Sequence, residues 1–184
     1  MIRVLLADDD YLIRGAFAAL LSLEEDLEIV AEAATGPDAI EMALHHRPDV
    51  AVLDLQMPGK DGVAVVERLT EVLPSCKTVI VTGHALPGRL KRALTHGVNG
   101  FVLKAVSAHE LATVIRSVHT GNRYIDPVVA ADAISEGASI EEVAERAALA
   151  PGTVRNRLSS GTTEPGAENR HAAARPARQG GWIN

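Results

Sequence analysis

Four short runs of the chain are almost wholly apolar: Val4-Leu5-Leu6-Ala7, Val50-Ala51-Val52-Leu53, Val79-Ile80-Val81 and Phe101-Val102-Leu103. Leu27-Glu28-Ile29-Val30-Ala31 forms a fifth, more mixed run. Strands read as continuous apolar runs, rather than alternating ones, when helices cover both faces of a parallel sheet. Between the runs the period changes. Leu12, Ile13, Ala16, Phe17, Leu20 and Leu21 recur at helical spacing, as do Ile40, Met42, Ala43 and Leu44, then Val65, Val66, Leu69 and Val72, and later Leu111, Val114, Ile115 and Val118. Strand followed by helix, five times over, predicts an α/β, doubly wound fold with a five-stranded parallel sheet.

The stretch from Thr120 to Pro127 carries turn residues, and Pro127 suits the first turn of a helix running to about Ser135. Beyond it, Ala138 to Ala148 reads as a helix, Ala150-Pro151-Gly152 as a turn, Thr153 to about Ser160 as a second helix, and Asn169 to Arg178 as an interrupted third. This divides the chain into a domain over 1–122, a linker helix over 123–137 and a small all-α unit over 138–184.

Composition changes this picture in two ways. The 184 residues are 47% hydrophobic, enough for a core, yet no run approaches the ~20 apolar residues of a membrane helix. The N-terminus opens directly into a strand rather than a signal peptide, and the single cysteine, Cys76, has no disulfide partner. A cytoplasmic protein with no membrane insertion is expected. The net charge of −6 is uneven: residues 151–184 hold two acids against five bases, a balance compatible with nucleic-acid binding at the tail but equally with a solvated helix face.

The chemistry gathers where the strands end. Asp8 and Asp9 follow the first, Asp54 the third, Thr82 the fourth and Lys104 the fifth. Ligands of open parallel sheets bind outside the carboxyl ends of the strands, where the strand order reverses, here between the first and third. Three crowded carboxylates repel one another unless a cation is present, and a hard, oxygen-preferring ion such as Mg²⁺ suits few carboxylates and many waters. Lys104 can pair with a transferred phosphoryl group and Thr82 can donate to it, so the set can accept phosphate on a carboxylate. Asp54 stands alone at its strand end and is the natural nucleophile; Gly83 leaves room for the phosphoryl oxygens.

From Asp8-Asp9 through Asp54-Leu55-Gln56-Met57-Pro58-Gly59 and Thr82-Gly83 to Lys104, the chain resembles the receiver domain of bacterial two-component response regulators. The resemblance implies a flavodoxin-like sheet of order 2-1-3-4-5, phosphorylation of Asp54 by a sensor histidine kinase, and a Mg²⁺ site formed by Asp9, Asp54 and the backbone carbonyl of Gln56, with Asp8 assisting through water. It makes Thr82 and Phe101 a switch pair that reshapes the face of the fourth helix and fifth strand, and places Gln56 and His84 where the lifetime of the phosphoryl group is tuned. Ala105 departs from the proline that many receivers carry.

Plainer roles exist for each residue alone: Asp10 as a helix cap, Thr82 as a strand threonine, Lys104 as a solvated end, Phe101 as core, the seven histidines as surface. Their joint occurrence at four strand ends in the right order favours the functional reading. An enzyme of the haloacid-dehalogenase type, suggested by Asp8-Asp9-Asp10, fails on order. That chemistry places its nucleophile after the first strand and an acid pair late, whereas here the pair comes first.

The tail offers Ile140 to Leu149, a short turn, then Gly152-Thr153-Val154-Arg155-Asn156-Arg157-Leu158. This looks like the helix-turn-helix output domain of the NarL/LuxR group, and the whole chain is similar to the desaturase-regulator type within it. A second helix in the major groove would present Arg155 and Asn156 to guanine and adenine edges and Thr153 or Arg157 to phosphates. The tail also departs from that family. A first output helix before Ala138 is missing, Gly161 falls within the recognition helix, Pro165 takes a core leucine's place, and Pro176 breaks the last helix at ~3 kcal/mol or more. Two functions are therefore expected in competition. One is a phosphorylation-dependent transcription regulator that binds DNA as a homodimer. The other is a receiver with degenerate output, acting as phosphoryl sink or protein-binding switch.

Overall fold

In a computed structural model of the chain, residues 1–83 and 87–135 are described. Among these residues six strands alternate with six helices: β1 (Ile2–Ala7), α1 (Tyr11–Leu21), β2 (Leu27–Ala33), α2 (Gly36–His46), β3 (Val50–Asp54), α3 (Gly62–Val72), β4 (Lys77–Thr82), α4 (Pro87–Thr95), β5 (Gly100–Leu103), α5 (Ala108–His119), β6 (Tyr124–Ile125) and α6 (Pro127–Ser135). All pairings are parallel, in the order β2-β1-β3-β4-β5-β6. The first five strands take the expected flavodoxin-like order, and a sixth, two residues long, adds to it.

Alternate residues of each strand point to opposite faces, and the core divides accordingly. On one side Leu5, Leu53, Ile80 and Phe101 pack under α2, α3 and α4. On the other Val4, Val52, Val81 and Val102 pack under α5, whose Leu111, Val114, Ile115 and Val118 are all buried. The helices start where the chain supplies caps: Asp10 accepts from the N–H of Leu12 and Ile13, Asp61 from Ala64, and Ser107 and Glu110 form a reciprocal capping box on α5.

Helix α1 forms where the helical spacing places it, but it buries little of its apolar stripe. Of the six apolar residues at helical spacing only Leu21 is buried, while Leu12 is 77% and Leu20 49% exposed. Periodicity identifies a helix face but not what covers it. Leu44 of α2 is likewise exposed.

Of the expected linker helix over 123–137, the described part, to Ser135, is more than a turn leading into a helix. Tyr124 and Ile125 pair with Gly100 and Phe101 of β5. The N–H of Tyr124 donates to Asn99 O (3.0 Å) and that of Asp126 to Phe101 O (2.8 Å). Ile125, Val129 and Ala130 then join Leu90, Ala93, Leu94 and Phe101 in one core cluster, so α6 lies over α4 and β5. No helix among the described residues is long and apolar enough to cross a membrane.

Candidate functional site

The parallel order brings the carboxyl ends of β1, β3, β4 and β5 side by side, and with them the expected residues. Asp54 is the last residue of β3 and Asp8 directly follows β1, its neighbour; both are buried at 6% exposure, while Asp9 is exposed. One carboxylate oxygen from each of Asp8, Asp9 and Asp54 lies within 4.8 Å of the others. The Lys104 ammonium reaches across from the end of β5, 2.7 Å from Asp8 Oδ2 and 3.3 Å from Asp54 Oδ1.

The electrostatics follow from this crowding. Burial, above all, raises the Asp54 carboxyl above its ordinary range, and the charge of Asp8 pushes the same way; Lys104 and the Gln56 backbone pull it back without cancelling the effect. For Lys104, burial disfavours the ammonium, but the carboxylates of Asp8 and Asp54 outweigh it and hold the group above the usual lysine value. A small cavity reaches beneath the pair, with Asp8, Asp54, Arg14 and Phe17 in its wall.

Thr82 ends β4, buried, and its carbonyl accepts from the N–H of Lys104 at 2.7 Å. Phe101 stands opposite Ile80 on β5, fully buried, with its ring in the cluster under α4 and α6. By strand alternation Thr82 shares that face with Ile80 and Phe101. A Cβ on Gly83 would meet nothing within 4 Å, so the space beside the threonine is open. Gln56 is exposed in the loop after β3. His84, and the tail residues Thr153, Arg155, Asn156 and Arg157 within 138–184, lie outside the described residues.

The three carboxylates are hard oxygen donors with one exposed member, a set that fits a small divalent cation such as Mg²⁺ rather than a softer metal. Other residues that hold the site were not evident from the chain. Gly36 and Gly62 allow two close approaches: a Cβ on Gly62 would run into the carbonyl oxygen of Asp54, and one on Gly36 into the carbonyl oxygen and Cβ of Lys60. Together with the bond from Gly62 N–H to Leu55 O (3.0 Å), these fix the loop that leaves Asp54. Asp61 caps α3 with Oδ1 and takes Arg92 of α4 on Oδ2 at 3.1 Å, tying the two helices. Arg14 of α1 donates to the Asp8 carbonyl. A glycine or an arginine at these positions carries no chemistry of its own in the sequence, so only the packing reveals it.

Comparison with known proteins gives one consistent answer. The response regulator receiver domain family matches residues 4–116. The transcriptional regulatory protein DesR of Bacillus subtilis is 35% identical, with all of both chains covered. The response regulator protein VraR of Staphylococcus epidermidis is 36% identical over 70% of this chain and 61% of its own. Among solved structures, a DNA-binding response regulator of the LuxR family from Staphylococcus aureus superposes with a TM-score of 0.63 at 32% identity, covering 65% of this chain and 99% of that one.

Proposed function

Because this chain belongs to the response regulator receiver family, we propose that it is a phosphorylation-dependent regulator of transcription whose phosphoacceptor is Asp54. The observation that carries this reading is the convergence of Asp54, Asp8 and Lys104 at neighbouring strand ends. The Asp54 carboxylate oxygen attacks the phosphorus of a phosphohistidine on a sensor kinase. The new O–P bond forms as the N–P bond breaks, and the imidazole departs with the electron pair and takes up a proton. Asp9, Asp54 and the Gln56 carbonyl would hold Mg²⁺, with Asp8 assisting through water; when bound, the ion neutralises charge on the transferring oxygens. Lys104, already charged and poised between two carboxylates, pairs with a phosphoryl oxygen. Thr82 donates its hydroxyl to another in the open space beside Gly83.

The burial of Phe101 under α4 and α6 supports a route outward. A hydroxyl drawn toward Asp54 vacates space on the face it shares with that ring, and α4 and α6 close over the change. The output assigned to 138–184 is helix-turn-helix binding of a promoter site by a homodimer, with Thr153, Arg155, Asn156 and Arg157 toward DNA. The name of DesR as a transcriptional regulatory protein, and of the LuxR-family structure as a DNA-binding response regulator, supports the DNA-binding part of this assignment. A receiver with degenerate output, serving as phosphoryl sink or protein-binding switch, is favoured instead by the lost first output helix and by Pro165 and Pro176.

The deciding experiment is phosphorylation with labelled acetyl phosphate and Mg²⁺, followed by an electrophoretic shift on a genomic fragment library, with Asp54→Ala alongside. Label and shift that both require Asp54 support the regulator. Label without a shift leaves the sink, and no label removes the receiver reading.

A further inference from the structure

Asp8 and Asp9 are held in different ways. The Asp8 carboxylate is fixed on both oxygens: Oδ1 accepts from the Asp10 N–H at 2.9 Å, and Oδ2 meets Lys104. Its own N–H donates to Ala33 O on β2 at 3.1 Å. Asp9 is exposed, and among the described residues its carboxylate has no hydrogen bond or ion pair to aim it. Its direction is therefore set by its backbone, and first by the plane of the peptide that joins it to Asp8.

That peptide is gripped by one side chain. Arg14, one turn into α1, donates from its terminal Nη1 to the Asp8 carbonyl oxygen at 2.6 Å, while its Nε faces Glu32 Oε2 on β2 at 3.3 Å. The Arg14 side chain is only 15% exposed, and its guanidinium lies 5.8 Å over the Tyr11 ring. Two donors in a rigid fork thus brace the Asp8-Asp9 peptide against the neighbouring strand, a geometry that a lysine's single ammonium cannot reproduce.

We propose that Arg14 is a positioning residue of the divalent-cation site: by clamping the Asp8 carbonyl between α1 and β2 it fixes the Asp8-Asp9 peptide and so aims the otherwise unanchored carboxylate of Asp9. It touches neither cation nor phosphoryl group. The inference rests on the receiver reading above and deepens it.

Mg²⁺ titration calorimetry on the unphosphorylated full chain tests it directly, beside the Mg²⁺ dependence of Asp54 labelling by acetyl phosphate. Outer residues that orient metal ligands typically change metal affinity about 10- to 100-fold when replaced. Arg14→Gln is expected to weaken Mg²⁺ binding by about 10-fold and to raise the Mg²⁺ needed for half-maximal labelling by the same factor, with the labelling rate at saturating Mg²⁺ near that of the wild type. Arg14→Lys is expected to behave like Arg14→Gln; a lysine variant with wild-type affinity would mean that charge alone matters and would overturn the clamp. Glu32→Gln, which loosens the brace but keeps the grip, is expected to weaken Mg²⁺ binding measurably but by less than Arg14→Gln, and it decides the matter if Arg14→Gln does not fold. Unchanged Mg²⁺ affinity in the folded variants sinks the inference while leaving the receiver reading intact. A wild-type chain that binds Mg²⁺ yet takes no label at Asp54 sinks the receiver reading instead.

Discussion

The Lys104 ammonium lies 2.7 Å from Asp8 Oδ2, so the lysine rests first on the acid of β1 and only at 3.3 Å on Asp54. Its ion pair is thus part of the folded protein's electrostatic balance before any phosphoryl group arrives. Replacing Lys104 with Gln leaves two buried carboxylates without their cation. We expect metal-free stability to fall by about 1–3 kcal/mol, measured by urea denaturation, with most of the loss recovered in millimolar Mg²⁺. Labelling at Asp54 should fall in the same variant even at saturating Mg²⁺, because nothing then pairs with the transferred oxygen.

Asp54 carries a pH signature of the opposite kind to a surface ion pair. Its folded-state pKa is raised, chiefly by burial. Folding therefore disfavours the ionised form: the favourable contribution is complete below the ordinary aspartate value and is lost as pH rises through the folded one. Asp54→Asn, nearly isosteric and neutral, should match the wild type at pH values below that range and exceed it at pH 7 without Mg²⁺, by on the order of 1 kcal/mol. Melting temperatures across pH 3 to 8 give the comparison, and equal curves throughout would contradict the placement of this carboxyl.

Two glycines should respond in opposite directions to the same change. At Gly15, within α1, an added Cβ meets nothing within 4 Å, so Gly15→Ala should raise stability by about 0.5–1 kcal/mol. At Gly62 the Cβ would strike the Asp54 carbonyl, which is backbone and cannot swing aside, so Gly62→Ala should cost about 1–3 kcal/mol. The second variant should also slow labelling, since it moves the acceptor itself. Chemical denaturation of both, beside the labelling rate, checks the pair.

Phe101→Ala removes a fully buried ring from the cluster shared by α4, β5 and α6. A loss of about 3–5 kcal/mol is expected, and hydrogen exchange should quicken in α6 as well as in β5. Quickening confined to β5 would mean that α6 does not depend on the ring.

The sequence displays most of this site because the chemistry stands at the ends of uninterrupted apolar runs, and a parallel sheet aligns such ends. Asp8, Asp54, Thr82 and Lys104 could be placed from those boundaries alone. What escaped is of three kinds. Tyr124-Ile125 is too short to show a period, so β6 was hidden inside a turn-like segment. The exposure of Leu12 and Leu20 depends on how α1 packs against the other described residues, which spacing does not encode. The clamp of Arg14 and the contacts at Gly36 and Gly62 arise between segments far apart in the chain, and no local pattern marks them.

The two residues of β6 also decide where this chain can be cut. A fragment ending at Asn122 keeps every catalytic-looking position, but it strips β5 of its outer partner and uncovers Leu90, Leu94 and Phe101. An unpaired edge strand beside bare apolar surface recruits other copies of itself. Such a fragment should self-associate on concentration, whereas one extended to Ser135 carries its own cover. The unit that can be handled by itself is thus defined by a strand too small to notice in the sequence.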